Sequence, residues 1–171
     1  LAIEFLRKYS SINGRLVRYG DLNDGPYNKP VRVWINEVQE YKPLIEQACN
    51  FWTKYTGIQF QLLTTDSANT PYIIISKEFD KDPGYAADTL ITGQTFKVNG
   101  IIRLYKGWEV YDPDKALTIA HEIGHVLMTI PGKGHTDEGD IMDGRSPTWL
   151  LHTYQQLAMK IKYNKNPGDN L

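Results

Sequence analysis

Apolar residues recur along this chain with two different periods, and the period changes from one segment to the next. Val31, Val33 and Ile35 alternate with Arg32 and Trp34, which predicts a half-buried strand entered from Pro30. Leu44, Ile45, Ala48, Trp52 and Tyr55 then fall at helical spacing, with Pro43 suited to the first turn and Gly57 to the stop. Ile58, Phe60 and Leu62 alternate with Gln59 and Gln61 as a second strand. After Pro71, Tyr72-Ile73-Ile74-Ile75 is a continuous apolar run of the length of a buried strand. Two more strands are expected over 85–91 and 101–105, separated by the turn pairs Thr92-Gly93 and Asn99-Gly100. Asp112 is the expected N-cap of a second helix, with Pro113 behind it and Ala116, Leu117, Ile119, Ala120, Ile123, Val126 and Leu127 running on to Pro131. A last helix is expected from Ser146 as cap and Pro147, carrying Trp149, Leu150, Leu151, Tyr154, Leu157, Ala158 and Ile161 toward the core. The predicted order is β, α, β, β, β, β, α, loop, α, an α+β arrangement with five strands. The first thirty residues and Asn166-Pro167-Gly168-Asp169 are less regular and are expected at the periphery.

A length of 171 residues fits one domain, 1–171, large enough for a core of its own. With 41% hydrophobic and 23% charged residues, the composition points to a soluble globular domain and away from coiled coil or disorder. The 19 Lys and Arg nearly balance the 20 Asp and Glu, for a net charge of -1, and no basic stripe is interleaved with aromatics. Nucleic acid is therefore not an expected partner. No apolar run approaches the roughly 18 residues needed to span a bilayer. The first twenty residues carry Glu4, Arg7, Lys8 and Arg15 in place of a signal-like apolar block, and Leu1 in place of Met predicts a processed or trimmed chain. Cys49, the single cysteine, excludes an intramolecular disulfide and, among Leu44, Ile45, Ala48, Phe51 and Trp52, is expected to be a small buried hydrophobe.

The chemistry lies on the second predicted helix, in His121-Glu122-Ile123-Gly124-His125, an HExxH pattern. Two histidines four apart on a helix differ by only about 40° in direction and about 6 Å in rise, so both imidazoles can reach one ion. Glu122 lies about 100° round from His121, where it can hold a water on that ion without ligating it. The segment is predicted helical on independent grounds, and a glycine-rich loop with another histidine follows, which favours a metal site over a structural pair of histidines. Imidazole suits zinc, and a catalytic zinc takes three protein ligands and keeps a fourth position for water. The third ligand can be His135, in Pro131-Gly132-Lys133-Gly134-His135, where two glycines let the backbone turn back. It can also be a carboxylate from Asp137, Glu138 or Asp140. A glutamate on a later helix is nearly excluded, because Asp169 is the only acidic residue beyond Asp143. The helical apolar setting of Cys49 speaks against a cysteine ligand.

In these residues the chain resembles the metzincin clan of zinc endopeptidases, and within it the matrixin-like branch. The HExxH of His121 to His125 and the later Gly134-His135 are similar to the clan's HExxHxxGxxH signature, and Asp140-Ile141-Met142-Asp143 resembles its Met-turn, which sets a methionine beneath the metal. Val31 to Ile35, Phe51-Trp52 and Thr56 to Phe60 are similar to the first strand, first helix and second strand of matrixins, so the likeness covers roughly 30 to 163. The spacing departs from the family: His125 and His135 are ten apart, a four-residue insertion, and Met128 stands at the family's glycine position. A slightly longer loop costs little to close. No tyrosine follows Met142 at the position where astacin-like and serralysin-like members carry one.

The resemblance implies a twisted, mainly parallel five-stranded sheet with an edge strand, two helices packed on it, and a small C-terminal subdomain with the third helix. An upper subdomain over about 30–130 and a lower one over about 131–163 would flank the active-site cleft. It implies one catalytic zinc on His121, His125 and His135, with Asp137 as the fallback third ligand, Glu122 as general base and Met142 in the turn. Its substrate would be an extended protein or peptide, laid along the edge strand at Tyr85, Ala86 and Ala87, with Asp143, Gly144 and Arg145 walling a specificity pocket. Tyr154 and His152 are candidates for a second oxyanion donor, although His152 fits a structural role better. No cysteine switch is implied; Asp21 could cap the zinc, but a plain turn at Gly20 accounts for it more simply, and structural calcium stays open. The same resemblance implies a monomer in an extracellular or cell-envelope setting. Another zinc hydrolase, of amidase or deformylase type, and a non-catalytic zinc-binding module are the competing readings, and Glu122 weighs against the second of these.

Overall fold

The computed structural model describes residues 1–23, 25–65, 71–129 and 133–171. The chain opens with α1 (Ala2–Tyr9), a small antiparallel hairpin of β1 (Ser11–Ile12) and β2 (Arg15–Leu16), and β3 (Arg18–Tyr19). Then come β4 (Val31–Ile35), a 3-10 turn at Gln39–Tyr41, α2 (Lys42–Thr56), β5 (Phe60–Leu63), β6 (Ile73–Glu78), β7 (Ala87–Gly93) and β8 (Lys97–Tyr105). Three helices complete the chain, α3 (Lys106–Tyr111), α4 (Lys115–Leu127) and α5 (Thr153–Tyr163). The fold is α+β with a mostly parallel sheet and five α-helices among the described residues. None of these helices is long and apolar enough to cross a membrane.

Among the described residues the main sheet has six strands, one more than expected. β3, β8, β6, β4 and β5 are parallel neighbours in that order, and β7 runs antiparallel along the opposite edge of β8. Chain connectivity explains the single antiparallel strand: β7 and β8 are joined by a tight turn, whereas the parallel neighbours are joined by longer crossovers. The turn needs Gly93, whose φ is 102° and whose missing Cβ would stand 2.7 Å from the Lys97 carbonyl oxygen. In β4 the alternation is as expected, with Val31, Val33 and Ile35 buried and Arg32 and Trp34 half-buried.

Gly57 stops α2 with a φ of 79°, and the helix buries Ile45, Ala48, Cys49, Phe51 and Trp52. Cys49 behaves as the small hydrophobe expected of it, and burial pushes its thiol up to about 12. Trp52 Nε1 donates to the Ala120 carbonyl at 3.0 Å and ties α2 to α4. α4 buries nine of its thirteen residues, as a helix apolar nearly all round must. One hydrophobic cluster takes in α1, the strands, α2, α4 and Ile141, Met142 and Leu151, and reaches Tyr163 in α5.

The structure corrects four expectations. Thr92, Gly93, Asn99 and Gly100, expected in turns between the strands, lie within β7 and β8, and the turn falls at 94–96. The N-cap of α4 is Asp114, whose side chain accepts from Leu117 N; Asp112 sits two residues earlier and accepts from Asp114 N, because α3 occupies the preceding segment and buries Trp108. The last helix starts at Thr153 rather than behind Ser146, because the Asp143 carboxylate holds the backbone N–H groups of Arg145 and Ser146 in a turn. The N-terminal thirty residues are not peripheral: α1 buries Ala2, Phe5, Leu6 and Tyr9, and the Phe5 ring meets Tyr154 of α5 at 6.1 Å. The tail is also paired, with Leu16 N donating to the Asp169 carbonyl and Gly168 N to the Leu16 carbonyl.

The far end of α4 is fastened by α1 and α5 together. Tyr163 donates its hydroxyl to the Leu127 carbonyl. Ser10 and Lys162 both donate to the Met128 carbonyl. The expected turn at Pro131-Gly132 lies outside the described residues.

Candidate metal centre

Four-residue spacing on α4 brings His121 Nε2 and His125 Nε2 within 3.2 Å of each other. His135 arrives from the segment after the helix and places its Nε2 3.2 Å from that of His121. The three rings converge on one point, and all three ligand atoms lie within 4.8 Å of one another. His121 is buried, His125 half-buried and His135 exposed, so the cluster opens on one side. Tetrahedral zinc, with bonds of about 2.0–2.1 Å to nitrogen, sets its ligands roughly 3.3 Å apart. The chain's donor set therefore fits a metal of imidazole preference.

Hydrogen bonding supplies the lone pair a ligand needs. The Ile141 carbonyl oxygen lies 2.7 Å from His121 Nδ1 and can only accept, so Nδ1 carries the proton and Nε2 faces the other rings unprotonated. Burial lowers the pKa of His121, against a smaller opposing effect of that carbonyl. Burial and the two neighbouring imidazoles take His125 down to about 3. Both side chains are thus held neutral, the form that binds a metal.

Glu122 is buried beside the cluster, its Oε2 4.0 Å from His125 Nε2. Burial pushes its carboxyl up to about 7, Thr89 opposes the shift by donating to Oε2 at 2.6 Å, and Asp88 adds to it. A carboxyl poised near neutrality is suited to taking and returning a proton.

The cluster is braced from beneath and from the side. Met142 is fully buried with its Sδ where a Cβ on Gly124 would be, 2.2 Å from that position, so it packs directly under the turn of α4 that carries His125. Asp140 accepts from Thr136 Oγ1 and Met142 N, each at 2.7 Å, and from Gln155 of α5. With its oxygens taken up in this way, Asp140 fixes the turn whose next residue, Ile141, holds His121. Gly144 lies against His135, since a Cβ there would stand 2.8 Å from His135 Cβ and 3.0 Å from its ring.

A cavity of about 690 Å³ opens over the histidines and Glu122, walled by Tyr85, Ala87, Asp88, Thr89 and Ile91 on β7 and the residues preceding it. Such a volume lies in the range of small-ligand and peptide-side-chain sites. Of the three edge-strand residues, Tyr85 and Ala87 line this cavity, whereas Ala86 lines the neighbouring one beside Lys106 and Gly107, which Tyr85 shares. Asp143, Gly144 and Arg145 do not line the metal cavity among the described residues. The Asp143 carboxylate is folded onto its own loop, where the N–H groups of Arg145, Gly139 and Ser146 hold its pKa down. Arg145 is exposed, 3.8 Å from Asp143.

Among the described residues the metal-capable group consists of the three histidines, and Asp137, Glu138 and Asp140 stand outside it. His152 is engaged with the Glu138 carbonyl at 2.8 Å and stacks on Tyr154 at 5.6 Å, and neither lines the cavity. Asp21 forms an ion pair with Lys97 and accepts from Asn23 N, the plain turn expected of it. Thr89 escaped the sequence reading. Its only signal there is a hydroxyl among the apolar residues of a strand pattern. No protein-family model matches the chain, and no curated protein matches it.

Proposed function

We propose that this chain is a zinc-dependent endopeptidase of the metzincin type, with a matrixin-like fold, that hydrolyses extended protein or peptide substrates. The observation that carries the reading is the convergence of three imidazole Nε2 atoms with a buried carboxylate 4.0 Å from one of them, in a cavity that opens onto an edge strand. His121, His125 and His135 are the ligands, and Met142 is the residue beneath them. A zinc ion held there supplies Lewis-acid polarisation of the scissile carbonyl and a water whose pKa falls to about 7.

The chain's own residues do the rest. Glu122 takes the proton of the attacking water on its carboxylate and returns it to the leaving nitrogen as the peptide bond breaks. Its burial fits this double duty, because a carboxyl near pH 7 gives up a proton as readily as it accepts one. Among the described residues β7 pairs with β8 alone, so its other edge would offer backbone groups to an extended peptide, a form of β-augmentation. Work as a monomer in an extracellular or cell-envelope setting belongs to the same reading.

The test combines metal content with cleavage of a quenched peptide library by the wild type, Glu122→Ala and His135→Ala. The wild type is expected to carry about one zinc, as a single three-ligand site implies. Glu122→Ala is expected to keep the zinc while cleavage falls by about 10²–10⁴-fold. His135→Ala is expected to lose both. Tight zinc with full activity in His135→Ala refutes the ligand set. Zinc without peptide cleavage, but with hydrolysis of small formyl or acyl amides, replaces the reading with an amidase or deformylase.

A further inference from the structure

Alternation along β7 turns Ala87, Thr89 and Ile91 to one face of the sheet, opposite Leu104, Ile102 and Gly100 of β8. Ile102 and Leu104 are fully buried, so this is the row that packs inward beneath α4. A hydroxyl in that row needs a partner. Thr89 Oγ1 lies 2.6 Å from Glu122 Oε2 and 3.3 Å from the Glu122 carbonyl oxygen, so both acceptors belong to the residue read here as the general base.

We infer that Thr89 is a positioning residue for Glu122, holding its carboxylate in the orientation that faces the attacking water. The inference rests on the reading of Glu122 as general base. A threonine hydroxyl has one proton and two lone pairs. Toward the ionised carboxylate it donates to Oε2. Once the oxygen that faces the water has taken its proton, the threonine hydroxyl can go on donating to Oε2, which remains an acceptor. The one side chain thus keeps Glu122 partnered before and after proton transfer, with no rearrangement larger than rotation of a hydroxyl. Thr89 forms no hydrogen bond to the three histidines among the described contacts, so its role is separable from metal binding. β-Branching suits it to the strand, and the rigid χ1 of a β-branched residue fixes where the hydroxyl points.

Thr89→Val keeps the shape and removes the hydroxyl, Thr89→Ser restores it, and Thr89→Ala serves should valine crowd the row. With a fluorogenic peptide that the zinc-loaded wild type cleaves, Thr89→Val is expected to keep its zinc and a KM within about twofold while kcat falls about 10- to 100-fold, since small misplacement of a reacting group has effects of that size. Thr89→Ser is expected to return kcat to within about threefold of wild type, because the hydroxyl that orients the base is back. An unchanged kcat in Thr89→Val and Thr89→Ala overturns the inference, and so does loss of zinc in parallel with kcat. Crystal structures of the zinc-loaded wild type and Thr89→Val give a second readout that needs no turnover. A Glu122 carboxylate swung away from its wild-type position in Thr89→Val supports the inference, and one left in place refutes it, even if the wild type cleaves no peptide and the endopeptidase reading has failed.

Discussion

Gly144 has no side chain because His135 stands where one would go. The clash is with the proposed ligand itself, Cβ against Cβ at 2.8 Å and against the ring at 3.0 Å. Gly144→Ala is therefore expected to move the His135 ring and weaken zinc about 10- to 100-fold, the size of effect seen when the supports of a metal ligand are disturbed. Gly144 is exposed and adopts no left-handed conformation, so any loss of thermal stability in the metal-free protein comes from the His135 contact and not from backbone strain. Competition with a chromophoric chelator reads the affinity, and an alanine variant that binds as tightly as wild type defeats the argument. Residue-scale legibility follows from distance along the chain. His121, Glu122 and His125 are legible because helical spacing alone aligns them. His135 needs the family resemblance as well. Gly144 is visible as a nearby loop residue, yet its role as a support for a ligand depends on a close approach that no spacing reveals. Thr89 depends on which face of β7 meets α4, a matter of sheet register.

At the scale of elements, α4, which carries His121 and His125, is fixed at both ends by pieces of chain far away in sequence. Its start is capped by Asp114, which also accepts from Trp149 Nε1 at 2.9 Å. Its end is held by Ser10 after α1 and by Lys162 and Tyr163 of α5. The strand and helix of 31–56 are legible because their apolar periods are long and their stops are Pro and Gly. α1 is missed because eight residues give too short a period to stand out, and its burial comes from α5, more than a hundred residues away. The start of α5 is misplaced because Ser146-Pro147 has the chemistry of a cap, while the Asp143 carboxylate already binds the Ser146 N–H. If α1 is an integral element, Leu6→Ala, at a side chain only 1% exposed, should cost about 2–5 kcal/mol in urea unfolding. Zinc affinity should fall with it, because Ser10 rides on the same helix end. A loss below about 0.5 kcal/mol, typical of surface substitutions, would return the N-terminus to the periphery.

Across the whole molecule, the buried ionisable groups set how stability follows pH, and their signs differ. His125, held at about 3 against an ordinary value of about 6.5, lacks a proton that the unfolded chain binds, so it removes stability as pH falls below 6.5. Glu122, raised to about 7 from about 4.3, holds a proton that the unfolded chain has lost, so it removes stability as pH rises through that window. In the metal-free protein these two slopes oppose each other between about pH 4.3 and 6.5. Below that His121 and His125 act in one direction, joined by Asp143, whose carboxyl is held down by backbone N–H groups, and stability falls. Lys162 governs the alkaline side. Burial and the nearby Arg18 bring its ammonium down to about 7, well below the unfolded value of about 10.4, so stability rises as pH climbs from 7. Cys49, raised to about 12 by burial, opposes that rise only above about pH 8.5, where a free thiol begins to ionise. From pH 7 to 8.5 Lys162 dominates, with Glu122 opposing it only near pH 7. Chelator-treated wild type should gain stability across it, with a slope that approaches about 1.4 kcal/mol per pH unit above pH 7. Lys162→Met should lose this rise and show only the small fall that Glu122 causes near pH 7, because methionine has no proton to lose. Urea unfolding at four pH values reads both proteins, and parallel curves for the two would mean that Lys162 keeps its charge on folding, with its bonds to Ser10 and Met128 sustaining a buried ammonium at the end of the metal helix.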